Sequence, residues 1–287
     1  MDANAWPRVS WGDAQRQPPP EVDFCLANFV AGSVGIVAAQ AGIGKTSLLL
    51  QIAAAVAAGI PVAGDLLPPP KTTGRVIFLA TEDPPAVLQR RAHFLVRSLE
   101  AQGYGNDIAD RLEESLLFHS VRSKLPNLLS KGNIGESGLD RLSMLARDSR
   151  LLILDPIRRF HLCDEQDFAQ MSMLFGLLTD IAVQSGCSIL FSHHVPQPLT
   201  VDDQDEPVGA LGASAFINAT RWVLNLTDMS RQEATRNEIP PEARRDFVRA
   251  SFTKSNYGPP LPARWLKRSS HFEGIFETWN PDAVHSS

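Results

Sequence analysis

The chain has 287 residues, 44% of them hydrophobic and 21% charged, a globular balance that excludes disordered, collagen-like and disulfide-scaffold classes. Its 27 Lys and Arg face 32 Asp and Glu, for a net charge of −5, so bulk charge gives no support for a nucleic-acid binder. Cys25, Cys163 and Cys187 are an odd, unclustered set without metal-ligand spacing, as expected in a reducing cytoplasm. The polar N-terminus lacks a secretory pattern. The longest apolar stretch, residues 48–60, is interrupted by Gln51 and is too short to span a bilayer. A soluble intracellular protein without a membrane partner is expected.

Taken in chain order, residues 1–20 are polar and end in Pro18-Pro19-Pro20, the pattern of an arm or linker. Buried-strand patterns follow at residues 33–38, 75–80, 116–120, 151–155 and 188–193. Helical patterns at 45–58, 85–102, 137–147 and 168–184 separate them. Apolar strand runs alternating with helices predict an α/β fold, a mainly parallel sheet with helices on both faces. The last third differs: residues 221–227, 246–255, 263–268 and 272–278 read as shorter, partly alternating strands. They predict a C-terminal antiparallel extension of the same sheet.

Ala39-Gln40-Ala41-Gly42-Ile43-Gly44-Lys45-Thr46 follows a predicted strand and opens a predicted helix, the context a P-loop requires. Inward-pointing backbone N–H groups and the helix N-terminus make an anion site there. Gly42, Ile43, Gly44, Lys45, Thr46 and Ser47 would hold ATP, with Lys45 on the β/γ-phosphates and the Thr46 hydroxyl on Mg²⁺. Ala39 stands where the consensus has its first glycine, a substitution a small residue tolerates at negative φ. Leu151-Leu152-Ile153-Leu154-Asp155 is an apolar strand ending in a carboxylate, the Walker B arrangement facing Mg²⁺. The next residue, Pro156, cannot activate water, so the base must come from elsewhere. Thr81-Glu82-Asp83 closes another strand, and strand C-termini line the ligand crevice of such sheets. Glu82 is the expected water-orienting base, with Asp83 suited to cap the helix that begins at Pro84-Pro85.

Together these segments resemble the RecA-like ATPase core, and more closely the RepA-type hexameric replicative DNA helicases of broad-host-range plasmids. The likeness runs from about Pro18 to Trp265. It rests on GIGKT, TEDPP with Arg91 following, LDPIRRFH, FSHH, the Asn218-Ala-Thr-Arg221-Trp222 strand entry and Thr253-Lys254-Ser255-Asn256-Tyr257-Gly258. The resemblance implies one RecA-like P-loop NTPase domain over residues 21–280 and a tail at 281–287. It implies His194 as a γ-phosphate sensor, and Arg221 and Lys254 as cations reaching a neighbouring subunit's γ-phosphate. Arg91 and Tyr257 are the expected adenine contacts. The implied assembly is a homo-hexamer with ATP sites at subunit interfaces, translocating on single-stranded DNA, with initiator or primase proteins as further partners. Arg158 and Arg159 couple the site to the interface or form surface salt bridges.

In rings of this class the loop after the sensor strand lines the channel. Here residues 195–219 carry Asp202, Asp203, Asp205 and Glu206 and no Lys or Arg, whereas a phosphate-tracking channel needs positive charge. Backbone N–H groups around Gly209 to Ser214 offer one substitute. A RecA-fold regulatory or recombination-type ATPase without unwinding activity is therefore the competing reading. A P-loop small-molecule kinase is a third, disfavoured by the paired cations.

Overall fold

The computed structural model describes residues 8–122, 127–130, 132–195 and 219–281. Most of the expected channel loop and of the expected tail lies outside these residues. Within the expected arm, Trp11–Arg16 (α1) is a short helix capped by the Ser10 hydroxyl, and it buries none of its residues. Phe24–Leu26 (β1) and Phe29–Val30 (β2) form a small antiparallel hairpin turned at Asn28. The apolar run Val34–Ala39 (β3) then leads into Lys45–Ala58 (α2). Next come Val76–Ala80 (β4), Pro85–Ala101 (α3), Ile108–Ser115 (α4) and Leu116–Ser120 (β5).

Two short strands, Leu129–Ser130 (β6) and Asn133–Ile134 (β7), pair as a second hairpin before Glu136–Ala146 (α5). Leu151–Asp155 (β8), Phe168–Ser185 (α6) and Ser188–His194 (β9) complete the alternating part. The chain ends with Trp222–Asp228 (β10), Arg231–Arg236 (α7), Phe247–Ser255 (β11), Arg264–Arg268 (β12) and Phe276–Trp279 (β13).

Nine strands form one sheet in the order β13-β12-β11-β10-β3-β9-β8-β4-β5. The six from β10 to β5 are parallel to one another, and β11, β12 and β13 add to them antiparallel. One strand departs from the sequence pattern. β10 pairs parallel with β3, from Trp222 against Gly35 to Leu226 against Ala39, so the antiparallel extension begins only at β11. Five of the seven β10 residues are buried, because this strand is flanked on both sides rather than lying at an edge.

Strand alternation divides the core into two layers. Val37, Ala39, Phe78, Ala80 and Ile153 face α2, α3 and α4. Ile36, Ala38, Ile77, Leu79 and Phe191 face α5 and α6. Helix α2 is buried on nearly all sides, and its alanine-rich second half lets neighbours approach closely. Its end is closed by Gly59, in the left-handed conformation, whose N–H donates to Ala55 O.

The last strand is fastened to that helix by one side chain. Gln51 Nε2 donates to Phe276 O at 2.8 Å, and Phe276 N donates to Gln51 Oε1 at 3.0 Å. Both groups are buried, so losing the amide strands two backbone partners, at about 1–3 kcal/mol each. Gln51→Leu, similar in size, is expected to lower unfolding free energy by about 2–4 kcal/mol, read from the urea midpoint. An unchanged midpoint would show that β13 does not depend on this pair.

Candidate functional site

The P-loop takes the conformation its glycines permit. Ala39 is the last residue of β3, in extended backbone, so the missing first glycine has no conformational consequence. Gly42 and Gly44 have φ of 81° and 105°, where a side chain is strained. A Cβ at Gly44 would also stand 2.7 Å from the Phe276 ring and 2.9 Å from the Arg268 guanidinium. Helix α2 starts at Lys45 with no side-chain cap and no acidic residue in its first turn. Its N-terminal N–H groups are thus free for an anion, and the helix dipole favours one there.

Lys45 is buried and its ammonium uses all three protons. It donates to Ala39 O at 2.9 Å, to Gln40 O at 2.8 Å and to His194 Nδ1 at 3.1 Å. Burial pulls its pKa down to about 8, against the opposing pull of Asp155 and Glu82. Because Lys45 donates to Nδ1, neutral His194 carries its proton on Nε2. Burial, and then the Lys45 charge, lower the His194 pKa and keep the ring neutral. Strand register brings these groups together, since His194 pairs with Ala39 across β9 and β3.

Asp155 ends β8 with its carboxylate buried. The hydroxyls of Ser192 and Thr46 donate to it. Burial raises its pKa, opposed by those hydroxyls and by Lys45. A buried carboxylate beside a hydroxyl at the phosphate end of a helix fits Mg²⁺, which takes few protein ligands and keeps phosphate and water oxygens. Among the described residues no group of three or more His, Cys, Asp or Glu could hold a metal by itself.

Thr81 stitches β4 to β8: its N–H and hydroxyl both donate to Asp155 O, at 3.0 and 3.1 Å. Glu82 is therefore held just beyond the level of Asp155, which pairs with Ala80, and is exposed at the cleft. Asp83 does not cap α3, whose N-cap is Pro84 with no side-chain bond. Its carboxylate accepts from Arg91 Nε at 3.0 Å, and Arg91 also donates to Ser47 Oγ at 3.1 Å. His193 lies on the other sheet face, buried near His161 and with its pKa pulled down to about 4 by burial. It is a core histidine.

A cleft of about 510 Å³ unites Gly42, Gly44, Lys45, Thr46, Ser47, Glu82, Arg91, Asp155 and His194. Its far wall was not legible in the sequence. Arg268 on β12 donates to Ile43 O at 2.6 Å and stacks over the Phe276 ring at 4.9 Å. Glu273, between β12 and β13, pairs with Arg90, which lies 5.1 Å over the Phe94 ring. These residues are far from the P-loop in sequence and carry no motif. Only the sheet order brings them there.

Arg221, Lys254 and Tyr257 stand elsewhere. Trp222 and Ser255 pair at the start of β10 and the end of β11, level with Gly35 at the beginning of β3. That is the opposite edge of the sheet, about 13 Å of strand from Ala39. Arg91 and Tyr257 therefore do not share a pocket within one chain. Arg91 is at the P-loop, while Tyr257 is half-exposed beside the far edge.

Residues 3–198 match the family model AAA_25, described as an AAA domain. The chain belongs to that family. Among solved structures, the crystal structure of the RadB recombinase is similar over 89% of this chain and 93% of that chain, at 15% identity and a TM-score of 0.54. The fold is that of a RecA-like P-loop ATPase. No helix among the described residues is long and apolar enough to cross a membrane.

The low pKa of Lys45 predicts a pH effect. Nucleotide phosphates favour the charged form, so the bound pKa lies above the free value of about 8. Affinity for ATP is then full below that value and falls as pH rises through it, by about tenfold between pH 7 and pH 9. Calorimetric titration at the two pH values checks this. Lys45→Arg, charged throughout, is expected to remove the dependence, and a Kd for the native chain flat to pH 9 would contradict it.

Proposed function

We propose that the chain is an ATP hydrolase whose sites are completed between copies and whose work is done on single-stranded DNA, as a ring helicase of the RepA type. The observation that carries this reading is the separation of charge within one chain. Hydrolytic groups gather at the C-terminal edge of the parallel strands, while Arg221 and Lys254 lie together at the opposite edge. Burial, and then the neighbouring Arg221 charge, lower the Lys254 pKa. Arg221 and Lys254 form a cationic pair at the strand ends opposite their own chain's P-loop, a position from which they suit a nucleotide held by a neighbouring copy.

In this mechanism the P-loop N–H groups and Lys45 hold the β/γ-phosphates. Lys45 exchanges its loop carbonyls for phosphate oxygens as ATP enters. Thr46 and Asp155 would hold Mg²⁺, which supplies neutralisation of phosphate charge. Glu82 orients and deprotonates the attacking water, and His194 Nε2–H donates to the γ-phosphate. Arg221 and Lys254 of a neighbouring copy neutralise transition-state charge, a contribution of about 10³–10⁵ in rate for a finger in trans. Arg91 contacts the base beside Phe94, and Tyr257 meets a nucleotide only from the neighbouring copy.

A RecA-fold ATPase of recombination type, without unwinding, is the second reading. The acidic, Lys- and Arg-free sequence of residues 195–219 favours it, and the fold likeness to a recombinase is in keeping with it.

Two measurements test these roles. Glu82→Gln is expected to lower kcat by about 10²–10⁴ while ATP binding persists, and near-native turnover would remove Glu82 from the water-activating role. Lys45→Ala, with a disabled P-loop and intact cations, is inactive alone, as is Arg221→Ala. Mixed, the two are expected to regain activity at interfaces that pair the intact halves. No recovery, in mixtures shown to co-assemble, would sink the shared-site reading. Oligonucleotide unwinding by the native chain separates the two readings of its work.

A further inference from the structure

The charge problem of a DNA-binding reading has a local answer beside the ATP cleft. A second cleft of about 840 Å³ is lined by Thr81, Glu82, Pro85, Ser120, Arg122 and Arg159. Its two arginines follow different strands. Arg122 lies just beyond β5, and Arg159 in the turn Ile157–Phe160 just beyond β8. Since β8, β4 and β5 are consecutive in the sheet, the arginines follow the two strands that flank β4, whose ends lie about 10 Å apart.

Neither guanidinium has an ion pair or side-chain hydrogen bond among the described residues. Arg158, by contrast, is paired with Glu165 at 3.4 Å. The hydroxyls in the cleft are already committed as donors, Thr81 to Asp155 O at 3.1 Å and Ser120 to Asp83 O at 2.7 Å. Ten N–H donors on two guanidinium groups are thus the cleft's free side-chain donors among the described residues. Against them stands one carboxylate, Glu82, so the cleft carries an excess positive charge.

We propose that Arg122 and Arg159 form a phosphodiester-binding site for single-stranded DNA, placed so that its occupancy is felt at Glu82. The DNA part rests on the function proposed above; the location rests on the cleft. Planar guanidinium groups match phosphate oxygens bidentately, and backbone contacts of this kind bind without sequence preference. Glu82 lines both clefts. A phosphate between the arginines therefore alters the field around the carboxylate that faces the ATP cleft, a route by which DNA raises turnover.

The test is anisotropy binding of a fluorescent oligothymidylate to the full chain, with ATP analogue present, across a salt series. The double variant Arg122→Ala/Arg159→Ala is expected to bind at least about tenfold more weakly. Its slope of log K against log salt should be flatter by about 1.4, the value for two lost phosphates on a single strand. Arg122→Lys/Arg159→Lys, which keeps the charge, restores most of the slope. Arg245→Ala, outside this cleft, binds as the native chain does. Thermal melting checks that each variant is folded, as exposed and unpaired side chains lead one to expect. If the native chain binds DNA and the double variant matches it in affinity and slope, the site is wrong while the DNA reading stands. If the native chain binds no oligonucleotide, the DNA reading falls and this site's ligand with it. A double variant that loses ATP affinity but keeps oligonucleotide affinity assigns the cleft to the nucleotide and also overturns the proposal.

Discussion

The buried ammonium of Lys45 is the interaction on which the site's geometry depends. It bridges two carbonyls at the end of β3, the imidazole at the end of β9 and the start of α2. A charge in this position is tolerated only because every proton is bonded and carboxylates stand nearby. Burial still lowers its pKa to about 8, against the pull of Asp155 and Glu82. The loop is thus held in shape by a cation whose contacts an entering polyphosphate would replace.

The rest of the sheet serves that arrangement. Ser192 and Thr46 hold Asp155, Thr81 fixes the chain that carries Glu82 just beyond it, and the β12–β13 hairpin braces the loop from outside through Arg268 and Phe276. Gln51 fastens that hairpin to the same helix that carries Lys45. Local freedom and packing both select glycine at position 44, where φ is 105° and the Phe276 ring and Arg268 leave no room for a side chain. The C-terminal extension is a wall of the ATP cleft, so its loss would be felt in binding as well as in stability.

The local parts of this design were legible in the sequence. A P-loop and a strand ending in Asp155 are short-range patterns, and the parallel strands announced themselves as unbroken apolar runs. β10 was read in the wrong direction because its Asn225 and Thr227 interrupt the run, and partial alternation looks the same in a buried parallel strand as in an exposed antiparallel one. Arg268, Glu273 and Phe276 could not be read, since only strand order places them beside Ile43 and Gly44. Arg91 and Tyr257 are paired on the chemistry of a guanidinium and a phenol ring, and within one chain the strands set them at opposite ends. The net charge of −5 is least informative of all, because a sum over the chain does not say where on the fold its cations stand.

If the cations of one chain complete the site of another, hydrolysis is a property of the assembly. The direct measurement is specific ATPase activity against protein concentration, with mass in solution followed over the same range. Turnover per chain should be negligible where the protein is monomeric, rise steeply as copies associate and then level off. Turnover per chain that stays constant down to the monomer would contradict a site shared between copies.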